Sequence, residues 1–324
     1  MNETASFSES DELETPSSPV PEEESDTSST EETREYPPDT APISIIPIQE
    51  FETPAIIAGI DKPKSSREPL IKVAVRCEVG VRERNDDAYV AFTSAAGGHF
   101  KMLPFGLYIV ADGMGGHKNG HIASRIASRV AAHHILNRIY LPLLENVGPP
   151  VQAPIQEVLL DAIQTANTAV YQDDLEVDSG TTLTVALLLG RRLHVAHVGD
   201  SRLYLLADGK FQAVTSDHSL VQRLQDVGQL SAEEATSYPY RHVLIRAVGQ
   251  EEEVEIDTYL RLLPKEGKLL LCSDGLCGEV PDDELHRILA QEIDPEAIAG
   301  ELYEAAVEAN SMDNITAVVV DFNF

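Results

Sequence analysis

Cysteine, basic side chains and long apolar runs are all scarce in this 324-residue sequence. The three cysteines, Cys77, Cys272 and Cys277, are too few for a disulfide framework, and none belongs to a CxxC or Cys/His zinc spacing. No run approaches the roughly 18 apolar residues of a membrane span. The N-terminal MNETASFSESDELE has neither the basic start nor the apolar stretch of a secretory signal. The sequence therefore predicts a soluble, cytoplasmic protein with no membrane span.

The charge is strongly acidic, with a formal net value of -30 at pH 7. Binding to a nucleic acid duplex needs clustered Lys and Arg, and no such block is present. Nucleic acid is therefore not expected as a partner, whereas metal cations and basic peptides suit this charge. Nothing in the sequence indicates an oligomer, so a monomer is expected.

The composition changes along the chain. Residues 1–42 are rich in Ser, Thr, Pro and Glu and hold thirteen acidic residues against one basic residue, Arg34, so they are predicted to be disordered. Residues 43–60 carry two apolar clusters interrupted by Pro47 and Pro54, and this segment is either a linker or a docking segment. We therefore divide the chain into an acidic, disordered N-terminal segment and linker, residues 1–69, and a folded domain, residues 70–324.

The folded domain is predicted to contain antiparallel strands and amphipathic helices. Apolar runs predict strands at 71–77, 107–111, 182–188, 193–198, 203–206, 268–272 and 316–321, with hairpin turns at Gly190-Arg191 and Asp208-Gly209. Helical spacing predicts helices with apolar faces at Ile155 to Val170, at Ile122, Ile126, Val130 and Ile139, and after the Asp294-Pro295 cap. The simplest architecture packs antiparallel sheets together under amphipathic helices.

Acidic residues stand at the ends of apolar runs or in tight turns. They are Asp86, Asp87, Asp112, Asp200, Asp274 and Asp313. A single Asp-Gly pair is typical of a turn, but the run DGMGGHKNG, which begins at Asp112, holds more small residues than a hairpin needs. Carboxylates brought together repel unless they are neutralised, and Mg²⁺ and Mn²⁺ prefer oxygen ligands. These residues therefore predict a metal site.

An ordered set of motifs from about residue 70 to 322 resembles one enzyme family. The motifs are VRERNDDAY, VADGMGGH, SGTTLTVALL, HVGDSRLYLL, TSDHSLVQ, LLCSDGL and DNITAVVV. In this order they resemble the PPM-type, or type 2C, metal-dependent protein serine/threonine phosphatases, and the bacterial branch in particular. The resemblance implies an α+β fold, a four-layer α-β-β-α sandwich of two antiparallel sheets flanked by helices, with a metal site in a cleft at one edge.

The resemblance also implies roles for single residues. Asp112 would bridge two Mg²⁺ or Mn²⁺ ions, the Gly113 carbonyl would bind one of them, and Asp274 and Asp313 would hold the other. Two metals about 3.5 to 4 Å apart can share and activate a water for in-line attack on phosphorus. The substrates would be proteins phosphorylated on Ser or Thr, among them a kinase and its substrates.

Further positions match the family, some with departures. Asp86 and Asp87 fall where the family has an acidic pair, usually Glu then Asp, so Asp86 is the shorter residue. Arg82 matches the family's phosphate-binding arginine, with Arg84 as the alternative. The histidine that some members carry after the Asp-Gly pair is Met114 here, and nothing establishes His117 as its replacement, so the general acid is unassigned.

A third, weaker metal is also implied. Asp200 matches the aspartate that holds such an ion together with the Asp274 position, and Ser237 lies where the family's flap serine contributes. Residues 219–240 would form this flap, a mobile lid over the substrate. The histidines His194, His197 and His218 are interpreted as structural.

Rival functions have less support. A cysteine-dependent phosphatase needs Arg six residues after its thiolate, but Cys77, Cys272 and Cys277 are followed at that spacing by Glu83, Gly278 and Asp283. No GxxxxGK[ST] motif indicates a P-loop enzyme. Two alternatives remain: a catalytically weak or inactive phosphatase-fold scaffold that binds phosphoproteins, and an interaction protein that acts through its acidic segment.

Overall fold

The computed structural model describes residues 70–95, 103–114, 119–145, 154–173, 179–236 and 238–324. The segment 1–69 lies outside these residues, so its disorder and the domain boundary after residue 69 stay predictions. Ser237 and His117 also lie outside them.

The described strands form two antiparallel sheets, as the sequence predicts. One has the order β1 (Leu70–Glu78), β11 (Ile315–Asn323), β10 (Glu266–Cys272), β7 (Arg202–Ala207) and β8 (Lys210–Ala213). The other has the order β2 (Asp87–Ser94), β3 (Phe105–Met114), β5 (Leu183–Leu189), β6 (Arg192–Val198) and β9 (Asp257–Leu262), and the short β4 (Gly180–Thr181) pairs with the end of β3. The predicted strands are thus confirmed to within three residues at each end, whereas β2, β4 and β9 were not predicted.

Both predicted hairpin turns are confirmed. Leu189 pairs with Arg192 around a turn in which Gly190 has a φ of +58°. Asp208 and Gly209 both have positive φ, 50° and 70°, which is the backbone that a two-residue type I′ turn requires. The turn residues thus adopt the backbone conformations that the two hairpins require.

Helices cover the outer face of each sheet. The described helices are α1 (Gly120–Ile135), which continues through a π-helical turn (Leu136–Tyr140) into α2 (Leu141–Glu145), then α3 (Ile155–Tyr171), α4 (Leu220–Asp226), α5 (Ala232–Thr236), α6 (Asp274–Cys277), α7 (Asp282–Leu289) and α8 (Pro295–Glu308). Helices α1 and α3 share a core with the β3 sheet, and α6, α7 and α8 share one with the β10 sheet. A further core, with Tyr108, Leu203 and Val318, joins the two sheets. The predicted four-layer α-β-β-α sandwich is therefore confirmed.

The predicted apolar face of α1 was partly wrong. The structure buries Ala123, Ala127 and Ala131 completely, whereas Ile126 and Val130 are only partly buried at the edge of the core. Alanines allow close approach of backbones, and α1 packs directly against α3 and β3. The bulkier Ile126 and Val130 pack beside this contact, at the edge of the core.

The other two helices agree with their predictions. The face of α3 from Val158 to Val170 is buried, and the Asp294 side chain accepts a hydrogen bond from the Glu296 N–H at the start of α8. None of the helices in the described ranges is both long and apolar enough to cross a membrane.

Candidate active site

A cleft of ≈ 1250 Å³ lies where strand ends of the two sheets meet. The predicted site residues that line it are Arg82, Asp86, Asp112, Gly113, Asp200, Asp274 and Asp313. Asp112 stands near the end of β3, Asp274 directly after β10 with Ser273 between them, and Asp313 shortly before β11. Residues up to 231 positions apart in sequence are thereby brought to one place.

Asp112 and Gly113 form a rigid corner of the cleft. The Asp112 N–H donates to the Thr182 Oγ1 (2.9 Å), and its carbonyl accepts from the Thr182 N–H (2.8 Å). A side chain at Gly113 would overlap the carbonyl of Gly120, so this corner requires glycine. Burial, followed by the negative charge of Asp87, raises the pKa of Asp112 well above its usual value. Asp112 thus favours a nearby positive charge.

Asp274 begins α6 and faces Asp112. Its Oδ1 is buried and has no hydrogen-bond partner. Burial acts to raise the pKa of Asp274, but the adjacent His242 and Asp112 side chains outweigh it, and the pKa lies below its usual value. The titrations of Asp112 and Asp274 are therefore linked.

Asp87 lies behind the cleft wall rather than in it. Its Oδ2 accepts from the hydroxyls of Ser273 (2.7 Å) and Thr316 (2.6 Å), while its Oδ1 is buried without a partner. Burial raises the pKa of Asp87 to about 7, and the two hydroxyls oppose that shift only in part. Because Ser273 precedes Asp274, Asp87 fixes the chain on which Asp274 stands.

Arg82 is paired with Asp313. Its Nη2 donates to the Asp313 Oδ2 (2.6 Å) and its Nε to the Met312 carbonyl (2.8 Å). Burial, followed by the charge of Asp274, raises the pKa of Asp313, and Arg82 opposes this shift. About half of the Arg82 side chain is exposed to the cleft, so its remaining N–H donors are accessible to an anion.

Asp86 lies beside this pair and is held by its neighbours. Its Oδ1 accepts from the Arg84 Nε (2.7 Å), and its N–H donates to the Asn314 Oδ1 (2.7 Å). Its carbonyl accepts from the Gly113 N–H (3.1 Å). Arg84, the alternative phosphate ligand, is thus engaged with Asp86.

Asp200 lies on the side of the cleft nearest to α4 and α5. Burial and then the charge of Asp274 raise the pKa of Asp200 well above its usual value. The hydroxyl of the next residue, Ser201, is hydrogen-bonded to the Thr182 Oγ1 (2.8 Å). Thr182 therefore connects the Asp112 corner to the Asp200 turn. The predicted flap spans α4 and α5, and Ser237 within it lies outside the described residues.

Sequence reasoning missed the residues that support these aspartates. Ser273, Thr316 and Asn314 stand within quoted motifs, CSDGL and DNITAVVV, and their hydroxyl and amide groups were the available signal. His242 also lines the cleft, with its Nδ1 3.9 Å from the Asp274 Oδ2. The nearby carboxylate of Asp274 raises the pKa of His242. No sequence signal marked this histidine.

The structural interpretation of His197 and His218 is confirmed. His197 is buried between the Thr184 Oγ1 (2.9 Å) and the Ser216 carbonyl (3.2 Å), and burial lowers its pKa to about 3. The His218 Nδ1 accepts from the Gly199 N–H (3.2 Å), next to Asp200. His194 is buried in β6.

The donor set fits hard divalent cations. Buried carboxylate oxygens of Asp87 and Asp274 have no partner, and such groups are costly unless a cation or a hydrogen-bond donor meets them. Among the described side chains, no three His, Cys, Asp or Glu groups already converge on one point. The carboxylates line the cleft while Arg82 and Arg84 neutralise two of them, Asp313 and Asp86.

Comparison with known proteins agrees with this geometry. The profile of the family "Protein phosphatase 2C" matches residues 81–297. The serine/threonine phosphatase Stp of Listeria innocua is 36% identical over 217 residues, 67% of this chain and 84% of that protein. The phosphatase PstP of Mycobacterium tuberculosis is 35% identical over 257 residues, 78% of this chain and 45% of that protein.

Solved structures match as well. The crystal structure of the M. tuberculosis phosphatase PstP/Ppp has a TM-score of 0.64 at 35% identity and covers 78% of this chain and 99% of that one. The PstP catalytic domain in complex with two manganese ions has a TM-score of 0.62 at 32% identity, with 79% and 100% covered. This chain belongs to the protein phosphatase 2C family and is a metal-dependent protein serine/threonine phosphatase.

Proposed function

We propose that residues 70–324 are the catalytic domain and that Asp112, the Gly113 carbonyl, Asp274 and Asp313 hold two divalent cations, Mg²⁺ or Mn²⁺. The observation that carries this proposal is the buried, unpartnered Oδ1 of Asp274 facing the Asp112 carboxyl in a cleft lined by further carboxylates. Repulsion among these groups costs free energy that cations would remove. When bound, the cations supply Lewis acidity and an activated water for displacement at phosphorus.

Arg82 is the proposed phosphate ligand. A planar guanidinium suits the oxygens of a phosphoryl group, and Arg82 is half exposed to the cleft. In the absence of a cation it neutralises Asp313. With Asp313 engaged by a cation, the Arg82 donors would be available to the substrate.

Asp86 and Asp87 have supporting roles in this proposal. Asp86 binds Arg84 and the Gly113 N–H, and it would contact a cation through water. Asp87 accepts hydrogen bonds from the hydroxyls of Ser273 and Thr316 and so sets the position of Asp274. Both residues would therefore position the groups that bind the cations.

Asp200 is the proposed ligand of a third, weaker cation, together with Asp274. The charge of Asp274 raises the pKa of Asp200, and both side chains line the same cleft. The sequence also assigns Ser237 to this ion, and that assignment stays a prediction.

The proposed substrates are phosphorylated Ser and Thr side chains of other proteins, among them a Ser/Thr kinase and the targets of that kinase. The proposed location is the cytoplasm, because Cys77, Cys272 and Cys277 are all free thiols and thiols persist in reducing compartments. The chain is proposed to act as a monomer.

Turnover of para-nitrophenyl phosphate and of a phosphothreonine peptide tests this proposal, with Mn²⁺, with EDTA, and in an Asp274→Asn variant. Turnover should require the metal and fall by at least about a hundredfold in the variant. An Asp283→Asn variant, changed at an exposed carboxylate in the first turn of α7, should match the wild type. Metal-bound protein that binds phosphopeptide without turnover would instead identify a scaffold.

A further inference from the structure

His242 occupies a position in the cleft that the proposed cation sites do not yet use. Its Nδ1 lies 3.9 Å from the Asp274 Oδ2. Opposite ligands of one ion with bonds of about 2.1 Å stand about 4.2 Å apart, and adjacent ligands are closer. The two atoms are therefore near enough to bind the same cation.

The chain around His242 is fixed on both sides. The preceding Arg241 is paired with Glu279 (Nη2 to Oε1, 3.1 Å), just beyond α6. The following Val243 accepts the Leu220 N–H through its carbonyl (2.8 Å), at the start of α4. These two anchors hold His242 beside Asp274, and 60% of its own side chain is exposed.

A smaller cavity of ≈ 250 Å³ adjoins the main cleft at this point. Asp200, Asp274 and His242 line both spaces. The Oδ1 of Asp274 is buried there without a partner. Two carboxylates, one of them with an unused buried oxygen, and one imidazole thus face the same volume.

We propose that His242 is a nitrogen ligand of the cation shared by Asp200 and Asp274, and that it makes this site select Mn²⁺ over Mg²⁺. The inference rests on the proposed function, and it adds a ligand and a metal preference to it. Mg²⁺ takes oxygen ligands and keeps its waters, whereas imidazole suits transition metals. The imidazole must turn toward Asp274 and bind through an unprotonated nitrogen.

Pulsed EPR of the full chain loaded with Mn²⁺ tests this directly, because a nitrogen bound to Mn²⁺ gives a ¹⁴N hyperfine coupling. The wild type should show this coupling and a His242→Ala variant should lose it. A His133→Ala variant, changed at an exposed histidine of α1, should keep it. Calorimetric titration of His242→Ala should show that its weakest Mn²⁺ site is weaker by about ten- to a hundredfold, with little change for Mg²⁺.

The outcomes separate the two proposals. A coupling that persists in His242→Ala, or that is lost instead in His121→Ala, would overturn the assignment, since the His121 Nδ1 lies 3.8 Å from the Asp86 Oδ1. Mn²⁺ binding and turnover without any nitrogen coupling would overturn the His242 role alone. Failure of Mn²⁺ to bind the full chain would overturn both proposals.

Discussion

Asp87 and Asp112 are Cα partners across the antiparallel β2–β3 pair. Partners in a ladder present their side chains to the same face of the sheet, so the buried carboxyl of Asp87 and the part-buried carboxyl of Asp112 are held close together. Burial raises the pKa of both groups, and the charge of Asp87 raises that of Asp112 further. The fold thus concentrates negative charge before any cation arrives, and the predictions below follow from this arrangement.

Cations should stabilise the folded domain. Mn²⁺ at a hundred times its Kd adds about 2.7 kcal/mol to the free energy of unfolding, which raises the Tm of a domain of this size by about 5 to 10 °C. Differential scanning calorimetry with Mn²⁺ and with EDTA measures this. Asp274→Asn should lose most of the shift, and an equal Tm in Mn²⁺ and EDTA for the wild type would contradict the proposed cation sites.

Arg82→Ala should weaken phosphate binding. Removal of a charged donor from the reacting group lowers kcat/KM by about a hundred- to a thousandfold, and inhibition by inorganic phosphate should weaken in parallel. Arg82→Lys should recover only part of the loss, because an ammonium lacks the planar pair of donors. Arg261→Ala, at an exposed position on β9, is the matched control, and unchanged phosphate inhibition in Arg82→Ala would exclude the assigned role.

Gly113→Ala should impair both folding and turnover. The added methyl group would overlap the carbonyls of Gly120 and Asp86, and such overpacking costs about 1 to 3 kcal/mol. The control is Gly300→Ala in α8, where an added Cβ meets nothing within 4 Å and should stabilise the helix by about 1 kcal/mol. Urea unfolding measures the stability, and para-nitrophenyl phosphate hydrolysis measures the turnover. Equal stability of Gly113→Ala and wild type would show that the backbone around Gly113 moves to accept the methyl group.

Acid should destabilise the domain through His197. Burial lowers its folded-state pKa to about 3, whereas an unfolded histidine titrates near about 6.5. Between these values the unfolded chain binds the extra proton, so stability is lost as the pH falls below about 6.5. From pH 6.5 to 4.5 this contribution is about 2 kcal/mol.

A His197→Gln variant isolates that contribution. Its free energy of unfolding in EDTA, measured by urea titration at each pH, should fall less steeply with acid than that of the wild type. His133→Gln should keep the wild-type slope because His133 is exposed. Parallel curves for His197→Gln and wild type would show that His197 does not carry the effect.

Much of the fold could be predicted because buried strands read as apolar runs bounded by turn residues. β2 escaped notice because it begins at Asp87, inside a motif read as chemistry, and β9 because its last residues, Leu260, Arg261 and Leu262, are exposed at a sheet edge. The buried face of α1 was predicted incorrectly because the prediction followed the isoleucines, whereas the alanines of this helix are the fully buried residues. Each error arose where position in the fold overrode the residue pattern.

The site was predictable as far as its aspartates, because glycine-flanked Asp residues after strands carry a local signal. The residues that support these aspartates carry no such local signal. Ser273 and Thr316 reach Asp87 across 186 and 229 residues of sequence, and a hydroxyl in a strand has no pattern that reveals such a partner. His242 likewise becomes visible only when the turn before Val243 is placed over Asp274.

Because the aspartates lie on two different sheets, the geometry of the site depends on how those sheets are aligned. Asp112 belongs to the β3 sheet, and Asp274 and Asp313 flank strands of the β10 sheet. Slippage of one sheet past the other by a single residue, about 3.3 Å, would carry the carboxylates out of reach of a common ion. The apolar layer between the sheets, with Tyr108, Leu203 and Val318, therefore sets the spacing of these aspartates, and a change in its side chains would move them relative to one another.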